Sequence, residues 1–169
     1  MNNKTLSRLR VVSVFTFICL FSIANPSYGG EYGALEGLDD IKVVFDIRAP
    51  KAKTAAIYLD LIHQTFKDKN IREVSKQPDF AVVFAGGIIK LLSSDTTKFS
   101  AEEKKEIERI AGRVAAMKKD GIKMEVCLFA ANLLGVAPES ILADIEQVPN
   151  GWISLIGYQA RGHSLVSAF

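Results

Sequence analysis

Cysteine is nearly absent from this chain of 169 residues: there are two, Cys19 and Cys127. Only Cys127 lies outside the apolar N-terminal segment, so a chain that loses that segment has no internal disulfide to make. Histidine is as scarce. Neither His63 nor His163 has a partner at metal-ligand spacing, which argues against zinc or haem. The chain lacks G-x-G-x-x-G, G-x-x-x-x-G-K-[ST] and G-x-S-x-G, so neither a dinucleotide fold nor a serine hydrolase is indicated. No cofactor is expected. There is no block of one charge, no internal repeat and no low-complexity tract. Lys118-Lys119 is followed at once by Asp120, a solvated face rather than a nucleic-acid patch.

No apolar run reaches the roughly 20 residues that a membrane span needs. The longest, residues 11–23, is preceded by Lys4, Arg8 and Arg10 and broken by Asn25-Pro26. Ser27-Tyr28-Gly29 then gives a small-x-small cleavage pattern. This is the layout of a secretory signal peptide spanning residues 1–29. Cleavage after Gly29 is expected, leaving a periplasmic or secreted protein with no membrane span. The first 29 residues hold three basic and no acidic side chains, so the rest carries 18 basic and 19 acidic residues. A lone thiol in an oxidising compartment reads as a reactive or intermolecularly paired group, or as a buried small hydrophobe. Sequence position leaves both open.

Residues 30–40 are Gly-rich and acidic and read as a flexible arm. Residues 41–169 read as one domain. Ile41–Ile47 and Asp79–Ala85 have strand character, the second apolar enough to be buried on both faces. Apolar residues at 55, 59, 62 and 66 mark a helix over 53–67, with His63 on its surface beside the stripe. Gly86-Gly87 turns the chain, and 88–92 makes a short helical turn. Ser100 with Glu103 predicts a capping box opening the longest helix, whose buried stripe is Ile107, Ile110, Ala111, Val114 and Met117. Gly121 caps it. A strand ending at Cys127 follows, then short helices over 128–134 and 138–143, a strand at 145–148, a helix from Pro149-Asn150-Gly151 to Arg161, and a last strand over 163–167. The alternation predicts α/β architecture: a parallel five-stranded sheet with helices on both faces.

Ligands of such sheets bind beyond the carboxyl ends of the strands. Residues 46–50, 85–88 and 127–131 should meet there. Cys127 would sit at a helix N-terminus, where backbone N–H groups favour thiolate. Asp46, Arg48, Gly86, Gly87 and Lys90 are the expected lining, with Arg48 and Lys90 as candidate cationic neighbours of the thiol. Asp46 and Arg48 read equally as an ion pair, and Gly86-Gly87 as a plain tight turn. Trp152 shares an apolar helix face with Leu155, Ile156 and Gln159, suited to core or subunit contact.

Several stretches together resemble one family. They are Val82-Val83-Phe84-Ala85-Gly86-Gly87-Ile88-Ile89-Lys90-Leu91-Leu92, Ile122-Lys123-Met124-Glu125-Val126-Cys127 with Ala130-Ala131 and Gly135-Val136, and Ile145-Glu146-Gln147-Val148-Pro149-Asn150-Gly151 with Gly162-His163. In this order, over about residues 41–167, they resemble the DsrE/DsrF-like sulfur-relay family, in its exported branch. The resemblance implies a three-layer α/β/α sandwich and a homo-oligomer, trimer or hexamer. It implies that Cys127 corresponds to the family's sulfur-binding cysteine, carrying sulfane sulfur as a persulfide between donor and acceptor proteins. Some members have a histidine after the second strand. Ala85-Gly86-Gly87 stands there here, which favours carriage or binding over turnover. The alternative is an oligomeric small-molecule or partner-binding module with a structural cysteine.

Overall fold

Strands β1 (Lys42–Ile47), β2 (Asp79–Phe84), β3 (Lys123–Cys127), β4 (Glu146–Val148) and β5 (Ser164–Ala168) form one parallel sheet, ordered β4-β3-β2-β1-β5, in a computed structural model that describes residues 32–169. The signal peptide expected over 1–29, with Cys19, lies outside the described residues. Among the described residues no helix is long and apolar enough to cross a membrane.

Strand order and handedness together decide where the helices lie. The steps from β1 to β2, β3 and β4 all run in one direction, and parallel crossovers are right-handed. Helices α1 (Ala52–Lys67), α2 (Lys69–Val74), α3 (Ala101–Lys119) and α4 (Leu128–Leu133) therefore fall on one side of the sheet, here called the front. The return from β4 across the sheet to β5 goes the opposite way, so α5 (Gly151–Ala160) covers the back alone.

Side-chain alternation sorts the core accordingly. Val43, Phe45, Ile47, Phe80, Val82, Phe84, Met124 and Val126 join α1 and α3 in the large front cluster. The back cluster is Val44, Ala81, Val83, Leu155 and Tyr158. Parallel sheets need both faces covered, and both are, very unequally.

The capping box is present: Ser100 Oγ accepts from the Glu103 N–H, and the Glu103 carboxylate accepts from the Ser100 N–H. Gly121 ends α3 at φ +88°, with Ile122 N–H returning to the Met117 carbonyl. Four of the five expected stripe residues are buried; Ala111 is only partly so.

Two local expectations are corrected. His63 is buried rather than on the surface: its Nε2 lies 2.6 Å from Asp120 and its Nδ1 2.7 Å from Arg113. Arginine only donates, so Nδ1 accepts and Nε2 donates. The imidazole thus ties α1 to α3. Residues 138–143 form no helix beyond a 3-10 turn at Pro138–Ser140, because Ile141 and Leu142 leave it to bond the 92–94 segment. Helix α2 has no apolar period to betray it; the Asp68 side chain starts it by accepting from the Asn70 N–H. In the arm, Gly33–Leu35 makes a 3-10 turn.

Candidate functional site

Strands β1, β2 and β3 are adjacent, with Ile47 beside Phe84 and Phe84 beside Val126. Their carboxyl ends therefore emerge side by side, and the three expected segments do converge. On the back face, Arg48, Ala85, Cys127 and Val148 continue one row across the sheet.

Cys127 ends β3 and is the N-cap residue of α4 (φ −75°, ψ 106°). Alternation along β3 sends Met124 and Val126 to the front core and Glu125 and Cys127 to the back. There the thiol meets the start of α5. A Cβ placed on Gly151 would lie 3.0 Å from Cys127 Cβ, 3.0 Å from Val83 Cγ1 and 3.7 Å from Cys127 Sγ. Only glycine lets α5 approach this closely, so Gly151 is a contact of the cysteine and its missing side chain has a reason. Asn150 caps α5 by accepting from the Trp152 N–H at 2.9 Å. The thiol, the only one among the described residues, is thereby held beneath the first turn of α5 and is 5% exposed. It is not open to solvent, because the start of α5 covers it.

The expected lining divides. Asp46 is buried and receives Arg48 through Nε at 3.0 Å to both carboxylate oxygens, so the ion-pair reading holds. Arg48 is two strands from Cys127, about 10 Å at the usual strand spacing, and its guanidinium is committed to Asp46. Gly86, at φ +62°, packs on Arg48, and a Cβ on Gly87 would come within 2.5 Å of Pro50 Cβ. These two glycines serve the close approach of the 86–92 turn to the β1–α1 connection. Lys90 lines a different cleft, of about 320 Å³, with Ser93, Asp95, Lys98, Phe99 and Leu134. The residues offered as cationic neighbours are thus not brought against the thiol.

Sequence reasoning passed over the polar pair beneath α5. The Tyr158 hydroxyl donates to Glu125 Oε1 at 2.7 Å, while Glu125 Oε2 is buried with no hydrogen-bond partner among the described residues. Burial, reinforced by the Glu125 carboxylate, pushes the tyrosine hydroxyl well above its ordinary range, so it stays a donor. A glutamate within a five-residue strand was the available signal, since such a residue needs a partner once one face is covered. His163 lies at the amino end of β5, the far end of the sheet from Cys127. Its Nδ1 lies 3.0 Å from the Tyr158 carbonyl, and its Nε2 is 3.3 Å from Asp79. Among the described residues no three His, Cys, Asp or Glu side chains are grouped to hold a metal.

Comparison with known proteins agrees with this architecture. The chain belongs to the DsrE/DsrF-like family, whose model matches residues 42–168. It is 28% identical over 127 residues to an uncharacterized protein of Aquifex aeolicus (strain VF5), a match covering 75% of this chain and 55% of that protein. The chain thus spans about half the length of the curated relative it matches. Among solved structures it resembles a protein of unknown function from Methanobacterium thermoautotrophicum, with TM-score 0.59 and 16% identity over 76% of this chain and all of that one (100%). It also resembles the ychN protein from E. coli, with TM-score 0.56 and 8% identity, covering 76% of this chain and 99% of the other. At these identities the likeness is one of fold: an α/β domain with a five-stranded parallel sheet.

Proposed function

We propose that this DsrE/DsrF-like chain carries sulfane sulfur as a persulfide on Cys127, in an exported, self-associating protein. The observation that carries the reading is the place of the thiol. It is the sole thiol among the described residues, at the carboxyl end of a central strand, where α4 begins and the first turn of α5 closes over it. Family membership suggests a sulfur-relay type of role, and this is the residue able to fill it.

The step balances without an added oxidant. Cys127 attacks the outer sulfur of a donor persulfide, R–S–SH. The donor S–S bond breaks, a Cys127 S–S bond forms, R–SH leaves with a proton, and Cys127–S–SH remains. Transfer to an acceptor thiol repeats the exchange in the other direction. Because Gly151 sits on the thiol, loading requires the Asn150-Gly151 turn to shift. The exposed face of α5, with Trp152, Ile153 and Ile156 all above 60% exposed, is the proposed contact between subunits in a trimer or hexamer. The basic segment and cleavage pattern before Gly30 support export.

One observation favours the second reading, a binding module with a structural cysteine: the thiol is 5% exposed and packed against Gly151. Mass spectrometry after exposure to polysulfide separates the two. The carrier gains one sulfur atom on Cys127, and Cys127→Ser gains none. If the folded protein gains no sulfur and its thiol reacts with alkylating agents only after denaturation, the cysteine is structural.

A further inference from the structure

The sheet ends differently at its two edges. β4 is three residues long, exposes Glu146 and Gln147, and runs at once into Pro149. Short, charged, proline-ended edges are a usual protection against pairing with another chain. β5 has none of these devices. Ser164–Ala168 contains no charge and no proline, and Leu165 and Val166 are 43% and 45% exposed.

The free edge has a definite hydrogen-bonding pattern. The Ala168 carbonyl accepts from the Arg48 N–H at 2.9 Å, so the backbone groups of Ala168, and of Val166 and Ser164 by alternation, face β1. Those of Leu165 and Ser167 point outward, and no described segment pairs with them. Above the front of this edge, Tyr58, Leu61 and Ile62 of α1 stand over Val166 and Ala168 around an apolar groove of about 620 Å³. A row of open backbone donors and acceptors beside an apolar roof is the geometry that takes up an added strand.

We propose that β5 pairs antiparallel with β5 of a second copy, across a two-fold axis at Val166, so that two sheets run on as one. Val166 then faces the partner subunit's Val166 as a non-hydrogen-bonded pair, while Leu165 and the partner subunit's Ser167 exchange both backbone bonds. The symmetric pair does the same, about four bonds in all. A second copy fits because the strand is complementary to its own reverse. All five residues overlap, the outward-facing backbone groups come opposite one another, and with no charged residue in 164–169 no like charges meet. The register also brings the partner subunit's Phe169 level with His163. The interface is independent of the sulfur reading and of association through α5.

Sedimentation of the purified protein tests it with a charge swap. The wild type should contain an even number of subunits. Val166→Lys and Val166→Glu should each halve the mass, since like charges then face each other at the axis, and an equimolar mixture should regain it. Ser167→Pro, which removes an outward N–H and spares the bonds to β1, should also halve it. The Leu165 and Ser167 amides should exchange slowly in the wild type and quickly in each variant. A wild-type monomer overturns the proposal, even if the edge takes up an extended peptide of another protein. So does a wild-type trimer, which would leave the α5 contact standing. Variants that keep the wild-type mass, or edge amides that exchange equally fast in wild type and variants, also overturn it.

Discussion

The front of the sheet is covered by two long helices and the back by one helix of ten residues. The front buries 28 apolar residues in one cluster, the back five in another. The front is also closed to solvent by paired charges: Asp60 takes Arg109 and Arg113, while Asp120 takes His63 and Lys67. The back holds the only described thiol and a carboxylate oxygen without a partner, and it leaves Trp152, Ile153 and Ile156 in solvent. Burial at roughly 25 cal/mol per Å² of apolar surface puts most of the folding free energy on the front. The back is where the chain keeps groups that its own fold does not satisfy, and the sulfur chemistry proposed above draws on that side.

The largest effect should come from breaking the front. Phe80 is 2% exposed, with ring centroids 5.5 Å from Phe45 and 5.3 Å from Phe66. Phe80→Ala should cost about 3–5 kcal/mol by urea denaturation, the usual range for a buried phenylalanine. On the back, Tyr158→Phe should cost about 1–3 kcal/mol, because it leaves Glu125 with neither oxygen hydrogen-bonded. An equal loss for both variants in the same denaturation series would break the comparison.

Gly151→Ala sharpens it at the thiol. The new methyl would meet Cys127 Cβ and Val83 Cγ1 at 3.0 Å, so this contact must give by a few tenths of an ångström, and we expect the first turn of α5 to lift. We expect about 1–3 kcal/mol of destabilisation, typical of an overpacked contact, together with faster alkylation of Cys127 in the folded protein. Phe80→Ala should speed alkylation only as far as it populates the unfolded state. A slower or unchanged thiol in Gly151→Ala would mean that α5 does not govern access.

The two sides were not equally legible in the sequence. The stripe 55, 59, 62, 66, the Ser100–Glu103 box and the apolar run 79–85 are local periodic signals, and each element formed where its signal lay. The convergence of the three carboxyl ends followed from sheet topology. What the sequence did not disclose depends on contacts between distant segments. His63 looked like a surface residue because its partners, Arg113 and Asp120, are about fifty residues away. Lys90 looked like a neighbour of Cys127 because both follow strands, but its turn faces the front side. The cover on the thiol came from Gly151, read only as part of a helix opening, whose missing side chain has meaning only once α5 is placed over β3.

The smallest effect expected concerns the front-side charges. Asp120 occupies the C-cap of α3, where a negative charge opposes the helix dipole. Lys67 at 2.7 Å and His63 at 2.6 Å offset this, and the lysine bond, followed by that of His63, lowers the Asp120 carboxyl from 3.8 to about 2. A carboxyl whose folded value is depressed contributes stability that is fully present above its unfolded value and is lost as pH falls through the folded one. The Asp120 contribution should therefore hold above pH 3.8 and fade toward about pH 2. Other carboxylates also protonate in this window, so the informative quantity is the difference between wild type and Asp120→Asn. That difference should be constant above about pH 5 and shrink below pH 4, because the variant has no proton to take up at this position. Thermal melts of both proteins from pH 6 to pH 2 check it. If the gap stays constant into acid, the His63–Asp120–Lys67 cluster does not couple to protonation.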